Sequence, residues 1–237
     1  MYRFDDQVVM VTGAGGNLGS AVSKLFEAAG AHLVLVDRKM EILRESLPDL
    51  VDSQSHYLDD VDVTNPEAVG KWVDETRRRF GRIDVLVNTV GTYRADGKPH
   101  ETGLDTWDFL MMLNARTALV LARAVIPTMQ EQEHGRIINI SARAGLSGSA
   151  NASAYSASKS ALSRLTESLG EAYKHQGITA NAVMPSTMDT PANREAMPDA
   201  DFNRWVKPED VAKVIAFLAS IDAKIISGAL IPAYGRA

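Results

Sequence analysis

No cysteine occurs among the 237 residues, which excludes disulfides, thiol catalysis and cysteine-ligated zinc and is compatible with a reducing compartment. No long basic run occurs either. Acids and bases are mixed along the chain to a net charge of -5, which argues against nucleic acid and anionic membrane surfaces as partners. The five histidines, His32, His56, His100, His134 and His175, are scattered without ligand spacing, so no metal site is expected. The acids Asp59, Asp60 and Asp62 read as a strand end running into solvent rather than as a cation site. Apolar stretches are short or carry charges. The N-terminus "MYRFDDQVVMVTG" sets two acids ahead of a short apolar run, so neither a signal peptide nor a membrane span is expected there. What remains, 45% hydrophobic and 23% charged, is ordinary for a soluble globular protein, expected to be cytoplasmic.

Short β-branched runs alternate with amphipathic stretches. The strand candidates are "QVVMVT", "AHLVLVD", "HYLDDVDV", "IDVLVN", "RIINIS", "ITANAVM" and "IISGALI". Helix candidates lie near residues 17–29, 39–47, 66–80, 105–131, 153–175 and 208–220. Such alternation predicts an α/β fold: a doubly wound parallel sheet of about seven strands with helices on both faces. No linker or repeat divides the chain, so residues 1–237 read as a single Rossmann-type domain. Two long loops, about 89–103 and 185–205, each follow a strand candidate and so sit at the carboxyl edge of the sheet, where open α/β sheets bind ligands.

"VMVTGAGGNLGSAVSKLFEAAG" is a strand, a glycine-rich turn and a helix. Glycines at Gly13, Gly15, Gly16 and Gly19 let backbone approach a pyrophosphate, and the helix start at Asn17 and Leu18 offers free N–H groups and partial positive charge. A lone turn of this kind is a weak signal, but here both flanks fit. The second strand ends in Asp37, about 20 residues beyond the turn, where an acid accepts hydrogen bonds from adenosine ribose hydroxyls and repels a 2′-phosphate. The expected cofactor is NAD(H), with Arg38 softening that preference toward NADP(H).

"NISARAGLSGSANASAYSASK" ends in Tyr155 and Lys159, four residues apart on one helix face. A phenol ordinarily titrates near 10, and a neighbouring ammonium is expected to pull it down toward neutrality. By itself this spacing is usually just a helix face.

Taken together these segments resemble the short-chain dehydrogenase/reductase family. "TGAGGNLG" is similar to its TGxxxGxG signature, with Asn17 at the middle glycine; Asn tolerates left-handed backbone better than most residues. "DVT", with Asp62 and Val63, resembles the adenine contact, and "VNTVG" keeps Asn88 and Gly91 of the usual NNAG. "NAVMPSTMDT" resembles NxVxPGxxxT, with Pro185 and Thr190 kept and Ser186 in place of a glycine. Tyr155 and Lys159 match YxxxK, and the match runs through "SGALIPAYG". The resemblance implies an NAD(P)-dependent oxidoreductase with Tyr155 as proton donor. It implies that Lys159 tunes Tyr155 and binds the nicotinamide ribose, while Asn114 in "MLNARTAL" completes a water-mediated proton relay. It also implies a small-molecule substrate and a homodimer or homotetramer paired through the helices at 105–131 and 153–175.

One position departs. The family's Ser, thirteen residues before the Tyr, is Ala142 here, and such a donor is worth about 10²–10³ in rate. Ser141 is expected to point to the opposite face, leaving Ser147, Ser149 or Ser153 as stand-ins. Arg143 is a charged neighbour that can meet an anionic or electron-rich substrate or simply face solvent. Residues 189–205, "DTPANREAMPDADFNRW", resemble the substrate-side segment of the dihydropteridine reductase branch, which also has Ala for the Ser. That resemblance implies a conjugated cyclic acceptor under an apolar lid of Met188, Met197, Phe202 and Trp205. Two other readings stay open: a carbonyl reductase or alcohol dehydrogenase with a substitute donor, and a catalytically quiet NAD-binding sensor or structural subunit.

Overall fold

The computed structural model describes residues 2–51 and 53–236. Seven strands form one parallel sheet: β1 (Val8–Thr12), β2 (His32–Asp37), β3 (Tyr57–Asp60), β4 (Val85–Asn88), β5 (Gly135–Ile140), β6 (Ile178–Pro185) and β7 (Leu230–Ala233). Their order is β3-β2-β1-β4-β5-β6-β7. The chain therefore winds one way from β1 and the other way from β4, and the crevice between those two strands is the switch point at which such sheets bind ligands. The helices are α1 (Asn17–Ala28), α2 (Met40–Ser46), α3 (Pro48–Val51), α4 (Pro66–Phe80), α5 (Leu104–Met111), α6 (Thr117–Glu131), α7 (Ser153–Tyr173), α8 (Pro191–Ala196) and α9 (Pro208–Ala219).

Strand alternation divides the core in two. Val9 and Val11 of β1 face α1 and α9, packing with Val22, Phe26, Val211 and Ile215. Val8 and Met10 face the other way, into a cluster with Trp72 of α4, Leu121 and Val125 of α6 and Leu169 of α7. A strand buried on both faces needs apolar residues at every position, which is why β1 reads as an unbroken "VVMV" rather than as an alternation.

Several expected boundaries move. The strand expected over "HYLDDVDV" stops at Asp60. In "IISGALI" only Leu230 and Ile231 enter β7, because Gly228 turns the chain at φ +73° and its N–H bonds Ala180 O. The helix expected over 105–131 is interrupted by a π-helical segment, Met112–Arg116. By length and composition residues 104–131 would suffice to cross a membrane, but Leu110, Leu121, Val125 and Met129 are fully buried within the fold. The loop expected over 185–205 contains α8 and a short 3₁₀ turn, Phe202–Arg204.

Candidate active site

The glycine turn joins β1 to α1 at the switch point. Gly13 has φ +64°, and a Cβ on Gly19 would lie 2.1 Å from Gly13 O, so the close approach of turn and helix admits no side chain there. Asn17 does not use left-handed backbone, contrary to expectation: it is the first residue of α1, and the positive φ falls at Gly13. No side chain caps α1 and its first turn carries no acid, leaving its leading N–H groups open to an anion. Asp37 closes the turn from the end of β2, its carboxylate accepting from Gly15 N (3.1 Å) and Arg38 N (2.8 Å), while the Arg38 side chain is exposed. Across the switch point Thr12 Oγ1 donates to Asn88 Oδ1 (2.9 Å), and Asn88 Nδ2 donates to Asn139 (3.4 Å). Asp62 is exposed and accepts from Thr64, beside the buried Val63. These residues fit a dinucleotide: a bare helix start for the pyrophosphate and a carboxylate at the end of the neighbouring strand for a ribose.

Beyond the turn opens a cavity of about 670 Å³. It brings together Leu18, Gly91, Ala142, Arg143, Tyr155, Lys159, Pro185 and Met188 from five separate stretches of chain. Lys159 is buried, and its Nζ donates to Ile140 O at the end of β5 (2.8 Å). Burial pushes this ammonium down to about 8. Asn114 sits in the π-helical segment, a device common at functional sites. Its Oδ1 accepts from Thr92 N (2.8 Å), and its Nδ2 donates to Thr92 O (3.0 Å) and Ser158 Oγ (2.9 Å). A Cβ on Gly91 would stand 2.9 Å from Asn114 Oδ1 and 3.0 Å from Lys159 Nζ, so both groups flank the same point and only glycine leaves room.

Tyr155 departs from expectation in its ionisation. Burial, reinforced by the nearby Tyr93, pushes its phenol up to about 12, the opposite of a pull toward neutrality. The two rings meet edge to face at 5.0 Å. At neutral pH the phenol therefore holds its proton and Lys159 holds most of its charge.

The hydroxyls near Ala142 sort cleanly. Ser141 is buried away, donating to Lys159 O (3.1 Å) and sharing a hydrogen bond with Ser163 (2.8 Å). Ser153 is committed to Asp96 and Thr102. Ser147 and Ser149 do line the cavity. Of the expected lid, Met188 and Met197 face the cavity, whereas Trp205 does not. Phe202 is not among the lining residues either; the two rings pack on each other (4.7 Å between centroids), beside the bridge that pairs Met188 with Val206. Thr190 is buried and its Oγ1 caps α8 by accepting from Asn193 N (3.2 Å).

Sequence reasoning passed over Asp96. Helix α7, which carries Tyr155 and Lys159, starts after Ala152 with no cap of its own. Asp96 supplies one from the loop after β4, accepting from Ser153 N (3.0 Å), Ala154 N (2.8 Å) and Ser153 Oγ (3.1 Å). Partial burial opposes the charge, but these donors outweigh it and hold the carboxyl below its usual range. The available signal was the alanine itself: a helix beginning without Ser, Thr, Asp or Asn needs its cap from elsewhere. Asp96→Ala is expected to cost about 1 kcal/mol and to lower kcat about tenfold by loosening the start of α7, read by thermal melts and steady-state kinetics. The stability deficit should be full above the ordinary carboxylate range and shrink as pH falls through the lowered pKa of Asp96. A deficit that stays constant down to acid pH would show that the carboxylate charge is not its cause.

The fold and this site define a dinucleotide-binding α/β oxidoreductase. The family model described as enoyl-(acyl carrier protein) reductase matches residues 13–235, and the chain belongs to the short-chain dehydrogenase/reductase family. It is 34% identical over 244 residues to the meso-2,3-butanediol dehydrogenase of Serratia marcescens, covering 99% of this chain and 96% of that one. Among solved structures it superposes on an NAD⁺-bound xylitol dehydrogenase with TM-score 0.89 and 27% identity, covering 98% of this chain and 99% of that one. It superposes equally, at 0.89 and 28%, on ElxO with NADP bound, covering 97% of each.

Proposed function

We propose that this oxidoreductase is an NAD(H)-dependent reductase of a small cyclic or conjugated acceptor, with Tyr155 as its proton donor. The cofactor preference rests on Asp37, whose carboxylate lies at the turn where a 2′-phosphate would bring like charge. Bound reduced nicotinamide supplies the hydride. Tyr155, protonated through the neutral range, gives its phenolic proton to the acceptor, and the buried Lys159 ammonium stabilises the phenolate that remains. Asn114 holds the Thr92 backbone against α7 and so keeps Tyr155 and Lys159 in register. A homo-oligomer accords with the exposed apolar side chains Leu104 and Trp107 of α5 and Leu119 of α6.

One observation carries the choice of acceptor: position 142 has no hydroxyl, and the one beside it, on Ser141, is spent inside the protein. A conjugated ring that takes up hydride and proton without building alkoxide charge does not need that donor, in keeping with the resemblance of residues 189–205 to the dihydropteridine reductase branch. The test is NADH oxidation with quinonoid dihydropterin and simple ketones side by side, in wild type and Ala142→Ser. Turnover of the pterin, little changed by the substitution, is expected, together with a gain of about tenfold or more on ketones. A wild type that reduces ketones well and ignores the pterin overturns this reading. The second reading, carbonyl reduction, would then fall to Ser147 or Ser149, the two expected stand-ins that line the cavity.

A further inference from the structure

Among the described residues the cavity wall contains no aspartate or glutamate, although the molecule carries a net charge of -5. The charged residues among those that line it are cationic: Lys159, buried at the inner end, and Arg143, exposed at the mouth. Arg143 is not spent on the fold. Seven other arginines of the chain form ion pairs with carboxylates, but among the described residues none pairs with Arg143. Its guanidinium lies 5.4 Å from the ring centroid of Tyr234, just past β7, so the side chain crosses from the end of β5 over the end of β6. An arginine laid across an aromatic face is oriented rather than free, and its planar fork matches a carboxylate by two parallel hydrogen bonds.

We propose that the acceptor carries a carboxylate, which Arg143 receives at the mouth of the cavity while the reducible ring lies inward beside Tyr155. The inference rests on reading this cavity as the acceptor site. A carboxylate fits one guanidinium better than a phosphate does, because a phosphate brings about two charges and a third acceptor oxygen that the wall does not answer with another cation. A field of one sign in a cleft also draws an anion toward the site from solution. Held at Arg143, the acceptor is fixed at the end remote from the chemistry, which lowers the entropy lost on reaching the reactive pose.

The test is calorimetric titration of the NADH-saturated protein with cyclohexanecarboxylate and with cyclohexanecarboxamide, two ligands of the same shape that differ in charge. The carboxylate is expected to bind on the order of tenfold tighter, and to lose affinity as salt is raised. Arg143→Gln should bring the ratio to near one, and Arg143→Lys should leave it between, since a lysine keeps the charge without the fork. Equal affinities in the wild type, absence of carboxylate binding, or a preference that survives in Arg143→Gln would each overturn the proposal. Turnover of neutral ketones and of the pterin reports separately on the reductase reading. Turnover without a carboxylate preference sinks this inference alone, and a preference that tracks Arg143 without any turnover sinks the reductase reading alone.

Discussion

Tyr155→Phe is expected to lower kcat by about 10³-fold while NADH binding stays within a factor of about two. The substitution removes one oxygen from a ring that keeps its edge-to-face contact with Tyr93, so packing around it is preserved. The proton that must reach the acceptor then has no donor in place. Because burial holds this phenol near 12, its loss of a proton does not shape the reduction rate between pH 6 and 9, and any bend there belongs to another group. Steady-state rates together with fluorescence titration of NADH separate the two effects. Retained turnover in the variant would remove Tyr155 from the chemistry.

Lys159→Met carries the second large effect, and it acts on activity and stability in different ways. Turnover is expected to fall about 10²-fold or more, since no cation then faces the phenolate. In the wild type the reduction rate should decline as pH rises through about 8, where Lys159 loses its charge. On stability, the folded value of about 8 lies below the ordinary 10.5, so the unfolded chain binds more protons between those two values. Wild-type stability therefore gains with pH across that window, and the penalty of the buried ammonium is complete below it. The methionine variant has no such penalty but leaves Ile140 O without its donor. Relative to wild type it should fare best at neutral pH and lose ground on the order of a few kcal/mol from pH 8 to 10.5. Denaturant unfolding at both ends of that range measures the swing, and a difference independent of pH would contradict it.

How much of this was legible depended on whether the signal was local. Helix α4 was readable to the residue: Asn65 accepts from the N–H groups of Glu67 and Ala68, Pro66 opens the helix, and Gly81 ends it at φ +72°. The pairing of Tyr155 with Lys159 was equally plain, since helical spacing alone puts them on one face. The π-helical segment at Met112–Arg116 was not, because Asn114 takes its partners from Thr92 and Ser158, 22 and 44 residues away. Tyr93 and Asp96 lie in a loop with no periodicity to place them. The ionisation of Tyr155 was misjudged for a related reason: the sequence displays the lysine four residues on but not the burial and the nearby Tyr93 that push the phenol up.

The segment after β4 is held at two points, Thr92 by both ends of the Asn114 amide and Asp96 by the start of α7. Four residues span at most about 14 Å when fully extended, so the stretch carrying Tyr93 is a short strap between two anchors. The other stretch of the wall, with Met188, Asn193 and Met197, is pinned at its base, where Asp189 N donates to Val206 O and Val206 N to Thr187 O, whereas α8 beyond it is held chiefly by neighbours in sequence, the Thr190 cap and the exposed Arg194–Asp189 pair. The cavity thus has one wall anchored by distant elements and one whose outer helix, α8, is held chiefly by neighbours in sequence. Changes in what it accepts should be sought by varying residues 186–205, whereas insertions between Thr92 and Asp96 would unseat the helix that bears Tyr155.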